Sequence, residues 1–166
     1  MKPAQLRDEL RDGRSSPLRK RRAIASLALG ASVPLAYIAL WQLGAVRKIR
    51  EPKLPHFDAE KVNGSEQAYA RFGVPDAFLG VASYAATAAL AAMGGERRAE
   101  TAPAIPLAMA AKVAFDALNA GKLTVDQWTK YRSFCIWCLL SAGATFAMFP
   151  LAIEEVLSVW KQKRKS

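Results

Sequence analysis

Three long blocks of the chain carry no charged residue: Ala23 to Val46, Ala77 to Gly94, and Phe134 to Ile153. A bilayer's hydrocarbon core calls for about 20 consecutive apolar residues at 1.5 Å of helical rise each. The first block meets that length and the other two approach it. A fourth apolar stretch, about 103–120, is interrupted by Lys112 and Asp116. The pattern predicts an all-α, integral membrane four-helix bundle with spans at about 23–46, 77–94, 103–120 and 134–156. These form one membrane domain, 23–160, between a basic N-terminal segment, 1–22, and a basic tail, 161–166. A soluble helical bundle is disfavoured, because soluble helices rarely lack a polar face over such lengths.

Local signals refine these elements. Pro34 lies within the first block and should kink it; a membrane helix tolerates this when neighbours satisfy the freed carbonyl. In Val74-Pro75-Asp76, proline and an acidic residue suit the start of the second helix. That helix is rich in alanine, and small residues let membrane helices approach closely. Lys112 and Asp116 are four apart and share one helical face. Ionisable groups in a membrane are costly and turn inward. A mutual ion pair, a helix lying in the interface and a functional polar site are all compatible with the pattern. The connection 47–76 holds Pro52, Pro55 and Gly64, which argue against a long regular element there. The N-terminal segment ends in Arg19-Lys20-Arg21-Arg22. With the long apolar block behind it and no small-x-small cleavage site, it reads as the flank of an uncleaved first helix.

Charge changes the picture in one respect. The 166 residues are 52% hydrophobic and 23% charged, with a net charge of +10. The basic residues flank apolar spans and form no stripe interleaved with aromatics, so membrane lipid, and not nucleic acid, is the expected partner. Four spans put both termini on one side. That side collects fourteen Lys/Arg against nine on the other, which predicts cytoplasmic termini. The start of the fourth span then lies at the extracytoplasmic face, where disulfide chemistry is permitted.

The only two cysteines, Cys135 and Cys138, stand at that point as Cys135-Ile-Trp-Cys138. One pair is no disulfide framework and no four-thiolate zinc site. Positions i and i+3 are neighbours on a helix, so the two sulfurs can close a short disulfide after local adjustment. A helix N-terminus stabilises a thiolate, the attacking species in exchange. Apolar burial opposes it, which places the expected pair at the membrane rim, open to a partner's disulfide. The bundle beside it can hold a lipid-soluble electron acceptor such as a quinone. Two inert buried cysteines, or half of a metal site completed by a partner, satisfy the same spacing.

The segment Phe134-Cys-Ile-Trp-Cys-Leu-Leu-Ser-Ala142 resembles the fourth-helix motif of bacterial vitamin K epoxide reductase homologues. Tyr69-Ala-Arg-Phe-Gly-Val-Pro-Asp-Ala-Phe-Leu-Gly80 is similar to that family's lead into its second helix, and Val62-Asn-Gly-Ser65 to the end of its first loop. The resemblance covers about residues 24–156. It implies a thiol–quinone oxidoreductase whose cofactor is a quinone of ubiquinone or menaquinone type and whose partner is a thioredoxin-like redox protein. Cys138 would be the thiol beside the quinone, and Cys135 the one that exchanges with another disulfide. Ser65 and Asp76 match polar positions of the quinone site. Asp76 stands where the family often has Asn, and Ala142 where vertebrate members have Tyr. The family's two relay cysteines of the first loop are missing; their places fall near Lys53 and on Ala59. Either a partner's thiols reach Cys135 directly, or the chain is a non-catalytic membrane subunit that keeps the fold.

Among the remaining residues, Trp137 between the cysteines either shields the disulfide, contacts a quinone ring or fills space. His56 reads as a solvated loop residue. Trp41, Trp128 and Trp160 read as an interfacial belt, and Glu154-Glu155 as a solvated helix end. There are no paired carboxylates, no phosphate-binding glycine loop, no Ser/His/Asp set and no expected metal ligands.

Overall fold

The computed structural model describes residues 2–163 and is all-helical, with no β-strand among those residues. Seven helices follow one another: α1 (Pro3–Asp12), α2 (Ser16–Gln42), α3 (Ala59–Asn63), α4 (Asp76–Ala92), α5 (Arg98–Thr101), α6 (Ala104–Tyr131) and α7 (Ile136–Lys163). A single 3-10 turn, Glu66–Tyr69, sits between α3 and α4. The four long helices pack in a ring, α2 on α4, α4 on α6, α6 on α7 and α7 back on α2. Helix α2 and the Ile136–Leu157 stretch of α7 are long and apolar enough to cross a membrane; α4 is apolar but shorter.

The boundaries depart from the apolar blocks for physical reasons. Helix α2 begins before the apolar run, with Pro17 in its first turn, where the missing N–H costs nothing. It continues through Pro34, which leaves the Gly30 carbonyl without its helical donor. One residue on, Ser141 Oγ of α7 lies 3.0 Å from the Ala31 carbonyl and ties the two helices together beside this point. Helix α6 runs well past the apolar stretch expected at 103–120. Lys122 and Lys130 both pair with Asp126 across one turn, at 2.7 and 3.0 Å, and this ladder suits a helix emerging into a polar environment. The Lys112–Asp116 pair forms at 2.5 Å. Ser83 of α4 donates to Asp116 and accepts from Lys112, so the polar pair faces the bundle interior.

A small residue eases the contact of α2 with α4. A Cβ at Gly80 would lie 2.4 Å from Leu35 Cδ1, so the absence of a side chain there makes room for Leu35 between α2 and α4. Two buried clusters fill the ring. One joins Ile24, Ala28, Met109, Val113 and Met148 near the N-terminal end of α2. The other joins Ile38, Ala39, Ile49, Ala59, Val62 and Cys135 at its far end.

The first end is closed by charge, against two expectations. Glu155 is not solvated: it is buried and accepts two hydrogen bonds from Arg98, at 2.6 and 2.7 Å. Arg21 and Arg98, expected to anchor on lipid, are both buried. Arg21 donates to the carbonyls of Ala91, Met93, Gly94 and Gly95 at 2.8–2.9 Å. Arg98 donates to those of Leu90 and Met93 at 2.6 and 2.7 Å. The last carbonyls of a helix have no intrahelical donor and carry the negative end of its dipole, so a guanidinium with five donors is well matched to them. Glu154 stays exposed and pairs with Lys20. Of the basic tail, 161–166, the side chains lie outside the described residues.

Removing one partner of a buried ion pair leaves an uncompensated charge. Glu155→Ala should therefore lower the unfolding free energy of the detergent-solubilised protein by about 3–5 kcal/mol. Glu154→Ala, at the exposed pair next door, should cost about 1 kcal/mol or less. Denaturant unfolding of the two variants side by side makes the comparison.

Candidate functional site

The segment before α7 is fixed by backbone bonds to the first loop. Phe134 N–H donates to the His56 carbonyl at 2.7 Å, and Asp58 N–H donates to the Phe134 carbonyl at 3.0 Å, forming an isolated parallel bridge between Phe57 and Phe134. Rings reinforce it: Trp128 stacks on Phe134 with centroids 5.6 Å apart and meets His56 edge-on at 5.5 Å. Arg132 takes a left-handed conformation, φ 50°, at the end of α6, which turns the chain sharply into this segment. Cys135 N–H then donates to Gln127 Oε1 at 2.8 Å. The loop helix α3 is capped by Asp58, whose carboxylate accepts from Lys61 N–H at 2.9 Å, and lies over the thiols.

Cys135 immediately precedes the first residue of α7, and Cys138 lies in its first turn. Both are free thiols. Cys138 N–H points at Cys135 Sγ, 3.3 Å away, so the first sulfur takes the place of a helix N-cap oxygen. Asn63, the last residue of α3, reaches both: Nδ2 donates to Cys135 Sγ at 3.3 Å, and Oδ1 accepts from Cys138 Sγ at 3.4 Å. The Cys135 sulfur thus faces two N–H donors, the Asn63 amide and the Cys138 backbone. Cys135 is fully buried, whereas Cys138 is partly exposed. The expectation that Cys135 stands open to a partner is thus not met, because residues 56–63 cover it.

Cys138 faces a partly open cavity of about 440 Å³ lined by α2, α4, α6, α7 and the loop. That volume lies in the usual range for small-molecule sites. Leu35, Leu79, Phe115 and Leu123 give it apolar walls. Ser65 and Asp76 line it too, so the structure brings together four of the residues singled out in the sequence: Cys135 behind the wall, and Cys138, Ser65 and Asp76 on it. Ser65 Oγ is turned to the Val62 carbonyl at 3.0 Å. Asp76 Oδ1 accepts from Gln42 Nε2 at 3.0 Å, and the same amide donates to the Asn63 carbonyl at 3.2 Å. A chain of polar contacts therefore runs from the thiols through Asn63 and Gln42 to Asp76. Ala142 is also in the cavity wall. The phenol nearby comes from α4: Tyr84 OH is held by the Ser141 carbonyl at 2.8 Å and Thr145 Oγ1 at 2.7 Å. Trp137 is not brought to the cavity. Its indole donates to the Arg50 carbonyl at 3.0 Å and meets Tyr37 edge-on at 5.5 Å, on the outer α2–α7 groove. His56 lies outside the cavity wall as well.

Three residues of this site had no role assigned from the sequence, although Asn63 stands within the Val62–Ser65 loop stretch. Asn63 precedes a glycine and reads as a turn residue. Gln42 and Gln127 are lone amides, Gln42 inside an otherwise apolar block; such an amide turns into the bundle for want of a partner in lipid, and that was the available signal. Ala59, at the place of the second relay cysteine, is fully buried in the same cluster as Cys135.

These features define a helical protein with a vicinal dithiol beside an apolar cavity. The family model described as the vitamin K epoxide reductase family matches residues 21–153, most of the chain, and the chain belongs to that family. That family couples thiol–disulfide redox to a quinone, and with the two apolar helices it points to a membrane protein. No curated protein matches the chain.

The Cys135 N–H depends on one acceptor. Gln127→Leu should leave that donor buried and unpaired, lowering stability by about 1–3 kcal/mol. Hydrogen exchange of the Cys135 amide, faster in the variant by an amount matching its lost stability, is the direct check.

Proposed function

We propose that the protein is a membrane thiol–quinone oxidoreductase that passes two electrons from a partner dithiol, through Cys135 and Cys138, to a quinone. The observation that carries the reading is the Cys138 sulfur on the wall of a partly open, largely apolar cavity, with Cys135 Sγ accepting from the Cys138 N–H behind it. The cavity suits a flat apolar ring with a polar rim: Leu35, Leu79, Phe115 and Leu123 would hold the ring, and Asp76, Ser65 and Cys138 meet its polar edge. We place the four long helices across the membrane with both termini in the cytoplasm, so that the dithiol sits near the extracytoplasmic face.

In the oxidised protein a thiolate of the partner attacks the Cys135 sulfur of the Cys135–Cys138 disulfide. A mixed disulfide forms and Cys138 leaves as thiolate. The partner's second thiolate then attacks its own bridged sulfur, releasing Cys135 and carrying the disulfide away on the partner. Because residues 56–63 cover Cys135, this exchange requires that segment to lift. When the two cysteines close again, their two electrons and two protons are taken up by a quinone, which leaves as hydroquinone of ubiquinone or menaquinone type. Asp76 sits within the polar network that reaches the thiols and can hold a proton at the cavity rim. The partner's chemistry is that of a thioredoxin-like dithiol.

The burial of Cys135 and the alanine at position 59 favour a second reading, a non-catalytic membrane subunit that keeps the family fold. Alkylation of the thiols in intact cells separates the two: a pair that never cycles with growth conditions supports the subunit.

With purified protein, quinone and a thioredoxin-like dithiol, Cys135→Ser and Cys138→Ser should each abolish quinone reduction; undiminished turnover in Cys135→Ser defeats the mechanism. Ala59→Cys should form a disulfide with Cys135 under mild oxidation, seen as a mobility shift that needs Cys135.

A further inference from the structure

We propose that Asn63 is the positioning residue that makes the two cysteines unequal: its amide nitrogen holds Cys135 as the thiolate, and its amide oxygen holds Cys138 as the protonated thiol. The inference rests on the redox reading above and deepens it, by assigning which sulfur attacks.

The orientation of the Asn63 amide is fixed by a third contact. Its Nδ2 lies 2.8 Å from the Ala59 carbonyl oxygen. A carbonyl accepts only, so the atom facing it must be the NH2 group. The second hydrogen of that NH2 is then the one at Cys135 Sγ, and Oδ1 is left facing Cys138. An amide oxygen donates nothing, so the hydrogen in that contact belongs to Cys138. The backbone agrees, since Cys138 N–H also points at Cys135 Sγ at 3.3 Å. Cys135 thus faces two N–H donors, whereas Cys138 faces the amide oxygen. Hydrogen bonds to a charged form favour that form. Asn63 is itself buried, so water does not compete for either end of the amide, and the low local dielectric strengthens both contacts.

Other charged and titratable groups act on the pair. Glu51, from the loop, disfavours charge on Cys135. Asp76, opening α4, acts on Cys138. Neither of them reaches both sulfurs with a donor at one and an acceptor at the other. The consequence is directional: of the reduced pair, Cys135 deprotonates first and attacks, while Cys138 keeps its hydrogen beside the cavity.

The test is a thiolate titration of the full-length, detergent-solubilised, reduced protein by ultraviolet absorbance. Asn63→Ala removes the donor and should move the first thiol titration up by about one pH unit. Asn63→Asp keeps the size and the oxygen but puts a carboxylate where the NH2 was, and should move it further. A purely structural residue would change thermal stability and leave the midpoint alone, so unmoved midpoints in both variants overturn the proposal. A second measurement needs no Asn63 variant. In wild type, at a pH between the two titrations, the infrared S–H band should belong to Cys138. It should vanish in Cys138→Ser and persist in Cys135→Ser; the opposite assignment overturns the proposal. Quinone turnover is scored separately. An inactive protein whose thiols titrate in this order upholds Asn63 and defeats the oxidoreductase reading.

Discussion

The site depends on a short run of hydrogen bonds between two segments far apart in the chain. The loop carbonyl of His56 accepts from Phe134, Phe134 in turn accepts from Asp58, and Asn63 then meets both sulfurs. Four backbone and side-chain contacts over a few residues leave the N-terminal turn of α7 little freedom, and the Trp128–Phe134 stack closes it from the side. A Cys-x-x-Cys on a frayed helix end would have no preferred proton arrangement. Here the amide, the helix N–H and the covering loop impose one.

The same physics closes the opposite end by different means. Helix α4 ends within the protein, and its last carbonyls would be left without donors. Two guanidinium groups serve them, and Glu155 balances part of the charge. The bundle is thus tied at one end by arginine–carbonyl contacts and at the other by loop–thiol contacts. Between the ties Gly80 makes room for Leu35 between α2 and α4, and Lys112 and Asp116 satisfy each other and Ser83. The cavity lies in the upper part of this ring, with walls apolar enough to admit a lipid-soluble ring.

The absence of the relay cysteines has a structural counterpart. Ala59 occupies a fully buried position in the Cys135 cluster, and the surrounding segment covers the sulfur completely. A chain that keeps its reactive thiol under a short loop relies on opening of that loop, while the cavity face of Cys138 stays accessible without it.

Much of the molecule was legible in one dimension. The uncharged blocks, Pro75-Asp76, the alanine-rich second helix, the i,i+4 spacing of Lys112 and Asp116, and the Cys135–Cys138 pair are local patterns, and local patterns report helices and neighbours on one helix. Burial and long-range pairing are not local. Nothing in the order of residues distinguishes Arg21 from Arg19, or Glu155 from Glu154, since which of them turns inward depends on helix rotation against a partner that lies elsewhere in the chain. Likewise Asn63 before a glycine looks like a turn residue, and Trp137 between two cysteines looks like part of their site. Only the tertiary structure put the first against both sulfurs and the second on the outer groove, because packing of the loop on α7 decides which side chains share a space.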